Sequence, residues 1–158
     1  MKFSFIWLLI ILLLTGGCSN STSKHSANNT GTLFELLTSE KTGINFINEV
    51  EDGEHFNVLT YRNYYNGGGV AIGDINNDSL PDIYFTSNQK KNKLYLNKGN
   101  FVFEDITDKS GVGGTMAWST GVTMADVNND GLLDIYVCNS GDVEGNNKKN
   151  ELFINNGN

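Results

Sequence analysis

Gly69-Val70-Ala71-Ile72-Gly73-Asp74-Ile75-Asn76-Asn77-Asp78-Ser79-Leu80-Pro81-Asp82-Ile83-Tyr84 returns 52 residues later as Gly121-Val122-Thr123-Met124-Ala125-Asp126-Val127-Asn128-Asn129-Asp130-Gly131-Leu132-Leu133-Asp134-Ile135-Tyr136. Each copy holds two short apolar runs rich in Val, Ile and Tyr, separated by a polar loop of Asp and Asn, which is the pattern of two strands joined by a turn. Self-similarity at a fixed period signals a repeat architecture, in which each unit buries its apolar face against the next.

The repetition continues on both sides. Lys91-Asn92-Lys93-Leu94-Tyr95-Leu96-Asn97-Lys98-Gly99-Asn100 recurs at 149–158 with an offset of 58, the difference falling in the polar loop Asn139 to Asn147. Val70 to Ile72, Ile83 to Thr86, Leu94 to Asn97 and Phe101 to Asp105 predict four strands, the content of one propeller blade. Asn97 to Asn100 reads as the hairpin turn between the last two, with Gly99 free to take positive φ. Phe34-Glu35-Leu36-Leu37-Thr38, leading to Gly43-Ile44, echoes Phe103-Glu104-Asp105-Ile106-Thr107, leading to Gly111-Val112, and predicts a further outer strand.

The fold expected is all-β, with tandem four-stranded blades of an incomplete β-propeller. Residues 33–68 form a leading outer strand and pre-blade segment, 69–112 a first blade, and 113–158 a second blade that stops before its outer strand. Two blades fall short of the four to eight that close a ring, so a longer propeller is expected.

The loops suit calcium, a hard cation that takes six to eight oxygen ligands from a tightly turning backbone. Alternate positions supply them: Asp74, Asn76, Asp78, the Leu80 carbonyl and Asp82 in the first loop. Asp126, Asn128, Asp130, the Leu132 carbonyl and Asp134 do so in the second. An EF-hand opens in the same way but needs a Glu at position twelve, where this chain has Phe85 or Val137. Turn propensity explains one Asp/Asn stretch, but not a sixteen-residue pattern kept twice. At the sixth position the chain must turn sharply, which suits Gly131 and strains Ser79, so the second site is expected to be the better formed.

The net charge is −7, and six of the eighteen acidic residues are the loop aspartates. No basic stripe exists, which argues against a nucleic-acid partner. His55 lies in the polar run Glu51-Asp52-Gly53-Glu54-His55 with no nucleophile or ligand near it in sequence, and no catalytic residue is assigned. Tyr61, Tyr64, Tyr65 and Trp118 are read first as packing groups and second as a recognition surface. Cys138 lies in an apolar strand run and reads as a small buried hydrophobe.

Met1-Lys2, the apolar run Phe3 to Leu14, and Thr15-Gly16-Gly17-Cys18 together read as an export signal over residues 1–17, the run falling short of the roughly 20 apolar residues of a membrane span. The four residues 15–18 resemble the lipobox of bacterial lipoproteins, with Cys18 as the lipidation site, although Thr15 stands where the usual Leu would be. Residues 18–32, almost wholly Ser, Thr, Asn and Gly, are too polar to order alone and read as a tether. The implied location is the bacterial cell envelope, lipid-anchored at the outer membrane.

From Leu33 onward the chain resembles the FG-GAP/VCBS repeat family, whose calcium-loop blades also occur in integrin α-subunit propellers. It resembles more closely the bacterial lipoproteins that carry such repeats and often end in an ASPIC/UnbV module. The departures are Ser79 for the usual loop Gly, and Asn76 and Asn128 where many loops have Asp; both Asn lower ligand charge. The resemblance implies a membrane-tethered, calcium-binding repeat segment that acts in binding or assembly, its partner an extracellular protein or glycan. The alternative is the N-terminal part of a larger propeller-based enzyme acting on extracellular glycans.

Overall fold

A computed structural model describes residues 31–116, 118–140 and 149–157. The chain divides into two units, Met1–Glu35 and Leu36–Asn158, and the fold belongs to the second. The expected signal, Cys18 and most of the expected tether lie outside the described residues.

The second unit is built from two antiparallel sheets with few helices. The first runs β1 (Val70–Gly73), β2 (Asp82–Phe85), β3 (Lys93–Asn97) and β4 (Phe103–Asp105) in simple order. The second runs β5 (Ser119–Ala125), β6 (Asp134–Asn139) and β7 (Glu151–Phe153), again in order. Sequential neighbours can pair this way in the first sheet because its connections are tight turns or short loops. The repeat is visible in the register: Tyr84 lies opposite Ala71 and Leu94, and Tyr136 lies opposite Thr123 and Leu152.

Alternation gives each sheet two faces. On one face of the first sheet Ala71, Tyr84 and Leu94 are buried, and they meet Ile135 and Val137 from the second sheet, with Val122, Met124 and Phe153 packed around them. Burying side chains of this size contributes about 1.5–3 kcal/mol each, so this contact between sheets is the core of the unit. The inner strands β1 and β5 lie close. A Cβ on Gly69 would come within 2.6 Å of the Thr120 carbonyl oxygen, and one on Gly73 within 2.8 Å of a Leu133 methyl. Only glycine fits at the first point, where the neighbour is backbone; at the second a methyl would require the Leu133 and Met124 side chains to move aside.

The first sheet's other face is covered by the segment before it: Phe46 stacks on Phe85 with ring centroids 4.8 Å apart, and the Tyr95 hydroxyl donates to Asn45 at 3.0 Å. Trp118 is 1% exposed and sits edge-on to Phe56 and Tyr61, tilted against Tyr64. Packing is therefore the role of Trp118 and Tyr64, whereas Tyr65 is exposed and donates to Asp52.

Two expected strand limits shift. Residues 34–38 form no strand and lead into the one-turn helix α1 (Ser39–Thr42), ended by Gly43 at φ 76°. The same device follows β4, where α2 (Thr107–Ser110) ends at Gly111 with φ 73°. The echo between the two segments thus marks the helix and its glycine cap; the strand forms only where β3 offers a partner. Phe101 and Val102 are exposed and belong to the turn, because Asn100 and Phe101 both take positive φ, and β4 begins at Phe103.

Candidate functional site

Each Asp/Asn loop joins the first two strands of its sheet, and the two loops share one hydrogen-bond frame. In the first, Asp74 Oδ1 accepts from Asp78 N at 3.0 Å and Asp74 Oδ2 from Ser79 N at 2.8 Å. Asn76 Oδ1 also accepts from Asp78 N, at 3.2 Å, and Asp78 Oδ1 accepts from Leu80 N at 2.8 Å. In the second, Asp126 accepts from Asp130 N and Gly131 N at 3.1 and 2.9 Å, Asn128 from Asp130 N at 3.2 Å, and Asp130 from Leu132 N at 2.8 Å. Short polar side chains that bond their own backbone a few residues on hold such turns.

Asp74, Asn76 and Asp78 are thereby drawn together at the exposed rim, as are Asp126, Asn128 and Asp130. Asn76 Nδ2 donates to Asp78 Oδ2 at 2.9 Å, and Asn128 Nδ2 to Asp130 Oδ2 at 2.8 Å, so each amide neutralises part of a carboxylate. The backbone turns as expected at the sixth position, with Ser79 at φ 69° and Gly131 at φ 85°; Asn77 and Asn129 also take positive φ. Hydrogen bonds from the Gly131 backbone N–H and its neighbours hold the Asp126 carboxyl below its ordinary range.

Asp82 and Asp134 stand apart from the rim, being 0% and 1% exposed. Asp82 Oδ2 accepts from Ile75 N at 2.9 Å and Oδ1 from Asn97 N at 2.7 Å. Asp134 does the same with Val127 N at 2.9 Å and Asn155 N at 2.8 Å. Each ties the start of the loop to the end of the third strand. Burial pushes the Asp82 carboxyl up, the two backbone bonds partly offset this, and the charges of Asp78 and Asp74 push it further. A divalent cation beside them would reverse that repulsion.

Among the described residues no three His, Cys, Asp and Glu side chains are gathered as a metal centre. A cation held here must therefore complete its shell with the Asn amide oxygens and the Leu80 or Leu132 carbonyl. The donors are all oxygen, which fits a hard cation, and their exposed lone pairs fit water as further ligands. Asn76 and Asn128 would have to turn their amides, since the NH₂ groups now face the carboxylate oxygens that a cation would occupy.

Sequence reasoning missed the links between the loops. Asn77 Nδ2 donates to the Gly131 carbonyl at 3.1 Å, and Asn155 Nδ2 to the Ile75 carbonyl at 2.8 Å. It also read Asn97 only as part of a hairpin turn; its recurrence as Asn155 in the second copy was the available signal for a bonding role. Thr86 Oγ1 donates to the Thr120 carbonyl and the amide of Asn88 to that of Ser119, fixing the inner edges of the two sheets. His55 is exposed.

An FG-GAP-like repeat is found at residues 74–137. The match starts on the first loop aspartate and ends within β6, so the FG-GAP-like repeat takes in both loops and the contact between the sheets. Cartilage acidic protein 1 of Xenopus tropicalis is 40% identical over 81 residues, covering 51% of this chain and 12% of that protein. The Mus musculus and Homo sapiens proteins of the same name are 37% and 36% identical over 76 residues, 48% of this chain and 12% of each relative. The chain thus matches a small part of the length of these relatives. All three are vertebrate proteins, which corrects the expected bacterial cell-envelope location: the comparison points to a eukaryotic setting. A leader and a four-residue motif around Cys18 are short signals that many unrelated sequences satisfy, and the longer repeat match outweighs them. Among the described residues, no helix is long and apolar enough to cross a membrane.

Proposed function

We propose that this FG-GAP-like repeat segment is a calcium-stabilised part of a β-propeller and works as a binding module with no catalysis of its own. The observation that carries the reading is the duplication of the loop frame: Asp74, Asn76, Asp78, the Leu80 carbonyl and Asp82 have counterparts of the same chemistry, bonded in the same way, in Asp126, Asn128, Asp130, the Leu132 carbonyl and Asp134. Bound calcium would neutralise the crowded carboxylates and fix the turn between two strands. Its effect is structural, because an ion present at ten times its dissociation constant adds about 1.4 kcal/mol of stability per site.

The partner fitted by this reading is a protein or a glycan. A chain with a net charge of −7 repels the phosphate backbone of a nucleic acid. The two-loop face is acidic and exposed, which suits recognition through a bridging cation or through basic groups on a partner.

Thermal unfolding of the full chain in calcium, in magnesium and in chelator tests the metal. Calcium is expected to raise the melting temperature relative to chelator, and the Asp126→Asn and Asp130→Asn double substitution to remove most of that rise. A melting curve indifferent to calcium discards the reading.

A further inference from the structure

An Asp or Asn stands directly before a glycine four times in the chain: Asp52-Gly53, Asn66-Gly67, Asp130-Gly131 and Asn156-Gly157. A glycine nitrogen reaches the side-chain carbonyl carbon of the residue before it with least hindrance, because glycine has no Cβ and turns freely. To attack that carbon the nitrogen must shed its proton and swing toward it, and an N–H held in a hydrogen bond is kept from both. Three of the four are held. Gly53 N donates to the Phe56 carbonyl at 2.9 Å, Gly131 N to Asp126 Oδ2 at 2.9 Å, and Gly157 N to Asn155 Oδ1 at 3.0 Å. Gly67 N has no acceptor among the described residues, and the Asn66 side chain is exposed and makes no hydrogen bond there. Asn66 also lies in a bend outside any strand, so no ladder holds its backbone still.

The backbone that follows Asn66 is closely packed. The Gly67 carbonyl accepts from the buried Asn88 amide at 3.2 Å, and the same amide donates to the Ser119 carbonyl of β5 at 3.0 Å. Gly69 N donates to Thr86 Oγ1 at 2.6 Å, and the Gly69 carbonyl accepts from Thr86 N at 2.9 Å. A Cβ on Gly68 would run into the Thr86 carbonyl oxygen. The run 67–69 is thus a joint that leads the chain into β1 and ties it to the inner edge of the second sheet.

We propose that Asn66 is a site of spontaneous deamidation whose isoaspartyl product loosens this joint. Gly67 N attacks Asn66 Cγ, the bond from Cγ to the side-chain nitrogen breaks, ammonia leaves, and a succinimide ring closes. Water then opens the ring. Opening at Cγ gives an aspartate; opening at the main-chain carbonyl carbon leaves the chain running through Cβ and Cγ, an isoaspartate. Asparagine and water are consumed, and acid and ammonia are released, with no other reactant. The isoaspartate places an extra methylene in the main chain just before Gly67, so residues 67–69 cannot keep their seats against both Asn88 and Thr86. The site does not depend on the calcium reading.

Peptide mapping of the full chain held in mildly alkaline buffer tests the site, since trypsin releases Asn66 in peptide 63–90 and Asn156 in peptide 150–158. Asn66 is expected to convert about tenfold faster than Asn156, the order of rate that one hydrogen bond on the attacking nitrogen withholds. In denaturant the two rates are expected to converge. Thermal unfolding of the aged chain is expected to show a fraction that melts below the fresh protein, matching the isoaspartyl fraction and missing from aged Asn66→Gln. Asn66→Ser replaces that control should the Gln variant misfold. Freshly prepared Asn66→Asp, which adds the charge without lengthening the chain, is expected to melt with the fresh protein. Conversion of Asn156 as fast as Asn66 in the folded chain overturns the proposal, as does an isoaspartyl fraction that melts with the fresh protein.

Discussion

At the scale of single residues the two loops form a natural comparison, since one frame carries Ser79 and the other Gly131 at the same left-handed turn. An L side chain there costs about 1–2 kcal/mol, so Gly131→Ser is expected to destabilise the unit by about 1 kcal/mol in urea unfolding while leaving the loop intact, as Ser79 shows is possible. Asp134→Ala is costlier. It leaves the Val127 and Asn155 backbone N–H groups without acceptors beneath the surface, and a loss of about 2–4 kcal/mol is expected in chelator, where any metal contribution is absent. Asp105 offers a pH test. Burial would raise its carboxyl, but hydrogen bonds from Lys93 and Thr107 outweigh this and hold it below the ordinary range, while the same pair raises Lys93. The lowered carboxyl stabilises the fold above its unfolded value of about 3.9, and that contribution is lost as pH falls through the folded value. The raised lysine stabilises below its unfolded value of about 10.4, and is lost as pH rises through its folded value. The pair is about one-third exposed, so Asp105→Asn should cost about 0.5–1 kcal/mol at neutral pH and nothing in strong acid, measured by denaturant unfolding across pH.

Elements were legible in the sequence where two signals agreed. β1, β2 and β3 were found within a residue or two at each end because apolar alternation and flanking turn residues repeat at the second copy, so each position was in effect read twice. β4 was drawn too long, since Phe101 and Val102 look like strand residues and only backbone conformation shows that they turn. Residues 34–38 misled for a related reason: Phe34 to Thr38 has strand-like composition, but composition does not supply a neighbour with free N–H and C=O groups. The loops' ligand residues were legible from spacing. What spacing does not carry is depth, and depth is what separates Asp82 and Asp134 from the other four aspartates. The bonds of Asn77 and Asn155 across the sheets were illegible because each joins residues separated by more than fifty positions, through side chains that serve equally well in any turn.

For the molecule as a whole, the register and the core show one sheet's inner face seated on the next, and the direction of that stacking decides which residues face solvent. Tyr136 differs from Tyr84 in surroundings and hardly at all in local sequence: each lies at the centre of the same three-strand neighbourhood. Exposure in a repeat protein is thus a property of position in the row. The link from Asn77 to the Gly131 carbonyl carries this to the two candidate ion sites, because Gly131 immediately precedes the carbonyl at Leu132 assigned to the second. Filling the first loop and reshaping its turn would shift the acceptor that Asn77 holds, and the second loop would feel it as a change in its own free energy of filling. The two sites should then titrate as linked sites, each altering the other's affinity by the same factor. Asn77→Ala is expected to separate them into independent isotherms in calorimetric titration. A turn residue would then act as a thermodynamic coupler, making the response of the pair to ion concentration steeper or shallower than either loop could make it alone.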